Sequence, residues 1–121
     1  MQMKKIILIL TVIFCFMSVK VFSQDRLLKL PDLQKTKLYK SVEEALKESG
    51  NVYRISLSNE GLTALPEELF TFKNLQSLNL SNNPITDLPL DIKLLKNLQY
   101  LNLEGTNIVN LPSELNTLKN L

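Results

Sequence analysis

The chain has 121 residues, a formal charge of +2, no histidine, no tryptophan and one cysteine, Cys15. Lacking histidine, it has no side chain whose ordinary pKa lies near neutrality, and so lacks the commonest general base and the commonest metal ligand. Ser–His–Asp triads, Cys–His pairs, intramolecular disulfides and imidazole zinc sites are all excluded, which leaves carboxylate chemistry and binding.

The first element is an export signal. Lys4 and Lys5 precede an uncharged run of 14 residues, Ile6 to Val19. A membrane-spanning helix needs about 20 apolar residues, whereas this length fits the core of a signal peptide. Val21 and Ser23 stand at the −3 and −1 positions of a small-residue cleavage site, with the cut before Gln24. Residues 1–23 are therefore read as a signal peptide and Cys15 as an apolar filler within it, since the bulky Phe14 does not suit a lipoprotein site. The mature chain is expected to be secreted, periplasmic or at the cell surface, with no membrane span. Loss of Lys4, Lys5 and Lys20 leaves 11 basic against 12 acidic residues, a net charge of −1. The positive balance thus belongs to the signal, and no nucleic-acid partner is expected.

Residues 24–51 form a flank. Residues 24–40 carry no clear period, and the basic cluster of Arg26, Lys29, Lys35, Lys37 and Lys40 reads as a solvated linker. Leu30-Pro31 lies 35 residues before Leu65-Pro66 and does not count as a repeat. Ser41 with Glu44 three residues on is a capping box, predicting a helix over about 42–48. Val42, Ala45 and Leu46 would share one face of it, and Gly50 with Asn51 would stop it. This capping helix is expected to cover the edge of the repeats that begin at Val52, because a stack of repeats needs atypical ends.

From Val52 the chain falls into three 23-residue rows: 52–74, 75–97 and 98–120, with Leu121 opening a fourth. Seven slots per row are apolar. They are Val52, Ile55, Leu57, Leu62, Leu65, Leu69 and Phe72 in row one, and Leu75, Leu78, Leu80, Ile85, Leu88, Ile92 and Leu95 in row two. In row three they are Leu98, Leu101, Leu103, Ile108, Leu111, Leu115 and Leu118. Pairs such as Leu78 and Leu80 alternate with polar neighbours, the pattern of a half-buried strand. An Asn/Gly/Pro-rich bend such as Asn82-Asn83-Pro84 comes next. Pro66, Pro89 and Pro112 then open a return arm with apolar residues three apart, suiting a helical or 3₁₀ turn. One such row cannot bury its apolar edge alone, so the rows must stack.

These rows resemble leucine-rich repeats of the Leu-Pro, 23-residue form common in bacterial secreted and surface proteins. The resemblance covers residues 52–121. It implies an α/β solenoid, or horseshoe, with a short parallel sheet on its concave face, entered through the N-terminal capping helix. The ninth slot, Asn in the family pattern, is Asn83 in row two but Glu60 and Thr106 in the others, so looser bends are expected there.

The resemblance also implies that partners are bound through the concave face. The expected partner-binding residues are Arg54, Ser56, Ser77, Asn79, Tyr100, Asn102 and Glu104, with Arg54, Ser77 and Tyr100 in one column and Ser56, Asn79 and Asn102 in the next. Arg and Tyr are favoured interface anchors. The expectation is a non-catalytic module for a protein partner, with no metal and no cofactor. The carboxylate pairs Glu67-Glu68 and Asp87/Asp91 fall on the convex arm, which offers no cleft across which two carboxylates could face each other. The alternative is an N-terminal scaffold of a larger bacterial surface receptor or enzyme. It is favoured by Leu121, an apolar first slot with no polar cap after it.

Overall fold

A computed structural model of the chain describes residues 27–121. The signal segment, its cleavage site, Cys15 and Arg26 lie outside the described residues. Four short strands form one parallel sheet in sequence order: β1 (Leu38–Tyr39), β2 (Arg54–Ser56), β3 (Ser77–Asn79) and β4 (Tyr100–Asn102). Two short helices precede the rows, α1 (Leu30–Leu33) and α2 (Val42–Leu46), with a 3₁₀ turn at Ser49–Asn51. Each row then returns through a 3₁₀ arm at Glu67–Thr71, Leu90–Leu94 or Ser113–Thr117.

The strand register matches the row length read from the sequence. Arg54 pairs with Ser77 and Ser77 with Tyr100, while Ser56 pairs with Asn79 and Asn79 with Asn102. The central residue of each strand points inward. Leu78 and Leu80 are buried with Leu75, Ile85, Leu88, Ile92 and Leu95, so row two fills all seven of its slots with buried side chains. Burying one such side chain contributes about 1.5–3 kcal/mol, and the stack lets the row above and the row below share each one. In the arms the prolines sit just before the 3₁₀ turn in an extended conformation (ψ 136°, 155° and 144°) rather than as its first helical residue. Three residues per turn then bring Leu69 and Phe72, or Ile92 and Leu95, to the same buried side.

The flank departs from expectation. The edge of row one is covered by a strand as well as by the helix: Leu38 pairs with Arg54 and Tyr39 with Ile55, and Ala45 and Val42 of α2 pack on the core. Residues 38–51 thus form a shortened row, in which α2 takes the place of the bend and return arm. Ser41 caps α2 by accepting the Glu44 N–H at 3.1 Å. The Glu44 carboxylate instead pairs with Lys37 at 3.2 Å, so only half of the capping box forms. The helix is five residues long, Ala45 is buried against the core, and Leu46, turned a further 100° or so around the axis, is exposed. Gly50 has no left-handed backbone, and the chain passes from α2 directly into the 3₁₀ turn.

The bends share a backbone feature that the ninth slot does not show. The eighth slot of each row adopts a positive φ: Asn59 at 62°, Asn82 at 57° and Gly105 at 68°. Left-handed backbone is tolerated best by Gly and Asn, and these are the residues present. At Gly105 a β-carbon would also collide with the Asn82 side chain. The Glu60 bend is closed from the next row, because Asn83 Oδ1 accepts the N–H groups of both Glu60 and Leu62 at 3.0 Å. Its Nδ2 donates to the carbonyls of Leu57 and Leu80 at 2.7 and 2.9 Å. At Thr106 the hydroxyl donates to Leu103 O at 2.8 Å, within its own row. A second asparagine set runs unbroken: Asn74, Asn97 and Asn120 each donate Nδ2 to a carbonyl of the preceding turn, at Gly50, Lys73 and Lys96.

Candidate functional site on the concave sheet

The strand register places six of the seven expected residues in two columns on one face, and Glu104 just beyond β4. Tyr100 is 42% exposed and stands at the last strand, with Asn102 and Glu104 exposed beside it. Ser56, Ser77 and Asn79 are half-buried. A shallow hollow of about 580 Å³ opens over β3 and β4, bordered by Ser77, Leu78, Asn79, Gln99, Tyr100, Leu101, Asn102 and Leu121.

The asparagines of this face have an assigned orientation. Asn79 Oδ1 accepts the Ser81 N–H at 3.0 Å, and Asn102 Oδ1 accepts the Glu104 N–H at 3.0 Å. These are Asx-type bonds to the backbone two residues on. They fix each side chain and leave its Nδ2 hydrogens for an acceptor, one strand spacing, about 4.8 Å, apart. Ser56 and Ser58 share a hydrogen bond of 3.2 Å between their hydroxyls.

Arg54 is placed in its column but is otherwise engaged. Its Nη1 donates to Gln34 O at 2.8 Å and to Thr36 O at 3.2 Å, tying the flank to β2. It therefore holds the fold as well as facing the concave side, and its replacement would disturb both. Two residues of the rim escaped the sequence reading. Gln76 is buried, and its Oε1 accepts the Leu28 N–H at 3.0 Å. Gln99, in the same slot of the next row, buries its Oε1 with no hydrogen-bond partner among the described residues. The signal was present as the repeated Leu-Gln at 75–76 and 98–99, but a polar second slot reads as solvent-facing until the flank is seen lying over it.

On the flank, Lys37, Tyr39, Glu44 and Glu48 form a cluster. The Tyr39 hydroxyl donates to Glu48 at 2.6 Å, and Lys37 Nζ lies 3.2 Å from both Glu44 and Glu48 and 4.5 Å from the centre of the Tyr39 ring. The hydroxyl bond, reinforced by Lys37, holds the Glu48 carboxyl below its ordinary pKa. Glu48, then Glu44, raises that of Lys37, and the Glu48 bond raises that of Tyr39. Here side chains lock β1 to α2, and their arrangement is that of a clip. On the opposite, convex surface Glu67 and Asp91 border an open hollow with Phe70, Thr71, Lys73 and Leu94. Asp87 accepts the Thr86 hydroxyl at 2.8 Å. Among the described residues no group of three or more carboxylates, thiols or imidazoles could hold a metal ion, and no helix is long and apolar enough to cross a membrane.

A parallel sheet of short strands, returned through 3₁₀ arms and stacked row on row, defines a repeat solenoid with one polar, accessible sheet face. Residues 50–108 match the family model described as leucine rich repeat. Residues 50–108 thus belong to the leucine-rich repeat family, whose domains are generally non-catalytic and typically bind proteins. Among solved structures it is similar to a leucine-rich-repeat protein of Leptospira interrogans, at 36% identity and a TM-score of 0.51. That match covers 71% of this chain and spans 28% of the Leptospira chain. A search of curated proteins finds no match.

Proposed function

We propose that the chain is an exported, non-catalytic binding module that holds a protein partner against the concave sheet. The contact would be made by Tyr100, Asn102 and Glu104, extended along the columns by Ser77, Asn79 and Ser56. The observation that carries this reading is Tyr100: a large aromatic side chain, 42% exposed, at the rim of a hollow whose neighbouring asparagines are held with their donors free. Rigid aromatic groups beside fixed hydrogen-bonding groups are the usual makings of an interface anchor. Export rests on the basic start, the 14-residue apolar run and the small residues at 21 and 23.

The test is a photo-crosslinking amino acid placed at position 100, with a control at Val109, which is 88% exposed and lies outside the columns. Covalent adducts with one extracellular or envelope protein should form from position 100 and not from position 109. Equal labelling from both positions, or none from position 100, overturns the concave site. Recovery of the exported chain with Gln24 as its first residue tests the export reading.

The second reading is a scaffold for a larger surface receptor or enzyme. It is favoured by the apolar end of row three, where Leu111 is 57% exposed while its counterpart Leu88 in row two is buried. Sequencing the gene downstream of the codon for Leu121 decides between the two.

A further inference from the structure

Leu28 donates its backbone N–H to Gln76 Oε1 at 3.0 Å, a bond between residues 48 apart in sequence. Gln76 is 2% exposed and immediately precedes β3, so this bond carries the flank past row one and fastens it to row two. Leu27 and Leu28 are half-buried, and Leu33 further on is buried. The tether lies close to the end that export would create, because a cut before Gln24 leaves four residues ahead of Leu28. Trimming that removed those four and Leu28 itself would strip Gln76 Oε1 of its donor, and a buried acceptor without a donor is destabilising. How the new chain end is finished therefore bears on the fold.

We propose that Gln24, once it becomes the first residue, is a modification site: its side chain closes on its own α-amino group as a pyroglutamyl lactam, which protects the Leu28–Gln76 tether from N-terminal trimming. This rests on the export reading of residues 1–23 and goes beyond it. In the step, the uncharged α-amino nitrogen attacks Cδ of the side-chain carboxamide. The bond from that nitrogen to Cδ forms and the bond from Cδ to Nε2 breaks. Nε2 leaves as ammonia, taking the proton that the α-amino nitrogen gives up, and no oxidant, reductant or further reactant takes part. The ring has five members, and nucleophile and carbonyl belong to one residue, so no encounter has to be organised. An α-amino group ordinarily titrates at about 7.7–8.0, so in mildly alkaline solution most of it is the uncharged nucleophile. Before cleavage the same nitrogen belongs to the Ser23–Gln24 peptide bond and cannot react, which ties the modification to removal of the signal. The product offers an aminopeptidase no free amine, and it removes one positive charge from an end that also carries Arg26 and Lys29.

The experiment expresses the full chain and a Gln24→Ala variant in an exporting bacterium, recovers the exported proteins and measures their intact masses. The wild-type chain should begin at residue 24 and weigh less than its uncyclised form by about 17 Da, the ammonia lost. Conversion should go to completion in mildly alkaline buffer, and stepwise N-terminal sequencing should stay blocked until a pyroglutamyl peptidase removes the lactam. Challenged with a general aminopeptidase, the wild-type chain should keep its mass and melting temperature, whereas Gln24→Ala should lose residues through Leu28 and melt lower. A chain that begins at Gln24 and keeps its free amine and full mass after incubation overturns the proposal and leaves the export reading standing. A different first residue, or no export, overturns the assigned cut and the proposal with it. Resistance of Gln24→Ala to the aminopeptidase equal to that of wild type removes the protective role and overturns the proposal as well.

Discussion

Asn83 holds the bend of the row before it. Its side chain is almost fully buried, donates to Leu57 O, Leu80 O and Ser81 O, and accepts from the N–H groups of Glu60 and Leu62. Three of these partners belong to row one, so one side chain both closes a turn and fixes the spacing between rows. Removing it would leave several shielded backbone groups unpaired at about 1–3 kcal/mol each. Asn83→Ala should therefore lower the unfolding free energy by about 3 kcal/mol or more, a large part of the 5–15 kcal/mol typical of a small domain. A urea midpoint close to wild type would contradict this account. The next row offers the converse experiment. Thr106 stands in the same slot and bonds only to Leu103 O within its own row. Thr106→Asn should supply the missing inter-row bonds and raise stability by about 0.5–1.5 kcal/mol, measured in the same titration.

Among the elements, the rows and the capped helix of the flank were legible in sequence and the flank's strand was not, for a physical reason. Successive rows place apolar residues in the same seven slots, so a constant period marks each of them. The flank has no bend or return arm. The chain from Leu38 to the carbonyl of Gly50 is much shorter than that from Arg54 to Lys73, although both run from a strand to the carbonyl that receives the next row's asparagine. Leu38 accordingly pairs with Arg54 across a shorter stretch of chain than separates Arg54 from Ser77. A search at the row period passes over it. Sequence likewise placed Arg54 in its column but could not show its guanidinium turned back to Gln34 and Thr36, since those carbonyls come from a segment without a period. What fastens this short row is the clip of Lys37, Tyr39, Glu44 and Glu48, and its charges give a pH dependence of known sign. The folded Glu48 carboxyl titrates below its ordinary 4.5. Its contribution is present above that value and is lost as pH falls through the folded pKa. Lys37 and Tyr39 titrate above their ordinary 10.5 and 10.0, so their contributions hold below those values and are lost as pH rises through the folded ones. The flank should therefore be most firmly held between about pH 5 and about pH 10. The Tyr39 ring resonances should report its release on acidification, at a pH that Glu48→Gln no longer shows. An acid transition identical in Glu48→Gln and wild type would remove the clip from this role.

At the scale of the whole molecule the two ends of the stack are unlike. The first is closed by β1, α2 and the charged clip. At the second, Leu101, Leu103, Ile108 and Leu115 are only partly buried, and Leu111 and Leu121 are 57% and 47% exposed, although each fills a slot that is buried in row two. The repeat predicts equal slots, so this difference arises from position in the stack and not from residue type. Leu88 and Leu111 isolate it, being the same residue before the same proline, 5% and 57% exposed. Truncating a buried Leu to Ala costs about 2–5 kcal/mol, through lost burial and the cavity left behind. A substitution at an exposed position usually stays within about 0.5 kcal/mol. Leu88→Ala should thus lower the unfolding free energy by about 2–5 kcal/mol and Leu111→Ala by less than about 1 kcal/mol, both from denaturant titrations of the full chain. Equal losses at the two positions would mean that row three is covered in solution, by further chain or by another molecule, and would favour the scaffold reading over that of a self-contained module. A small loss at Leu111 together with a large one at Leu88 would leave the apolar end open, as the geometry has it.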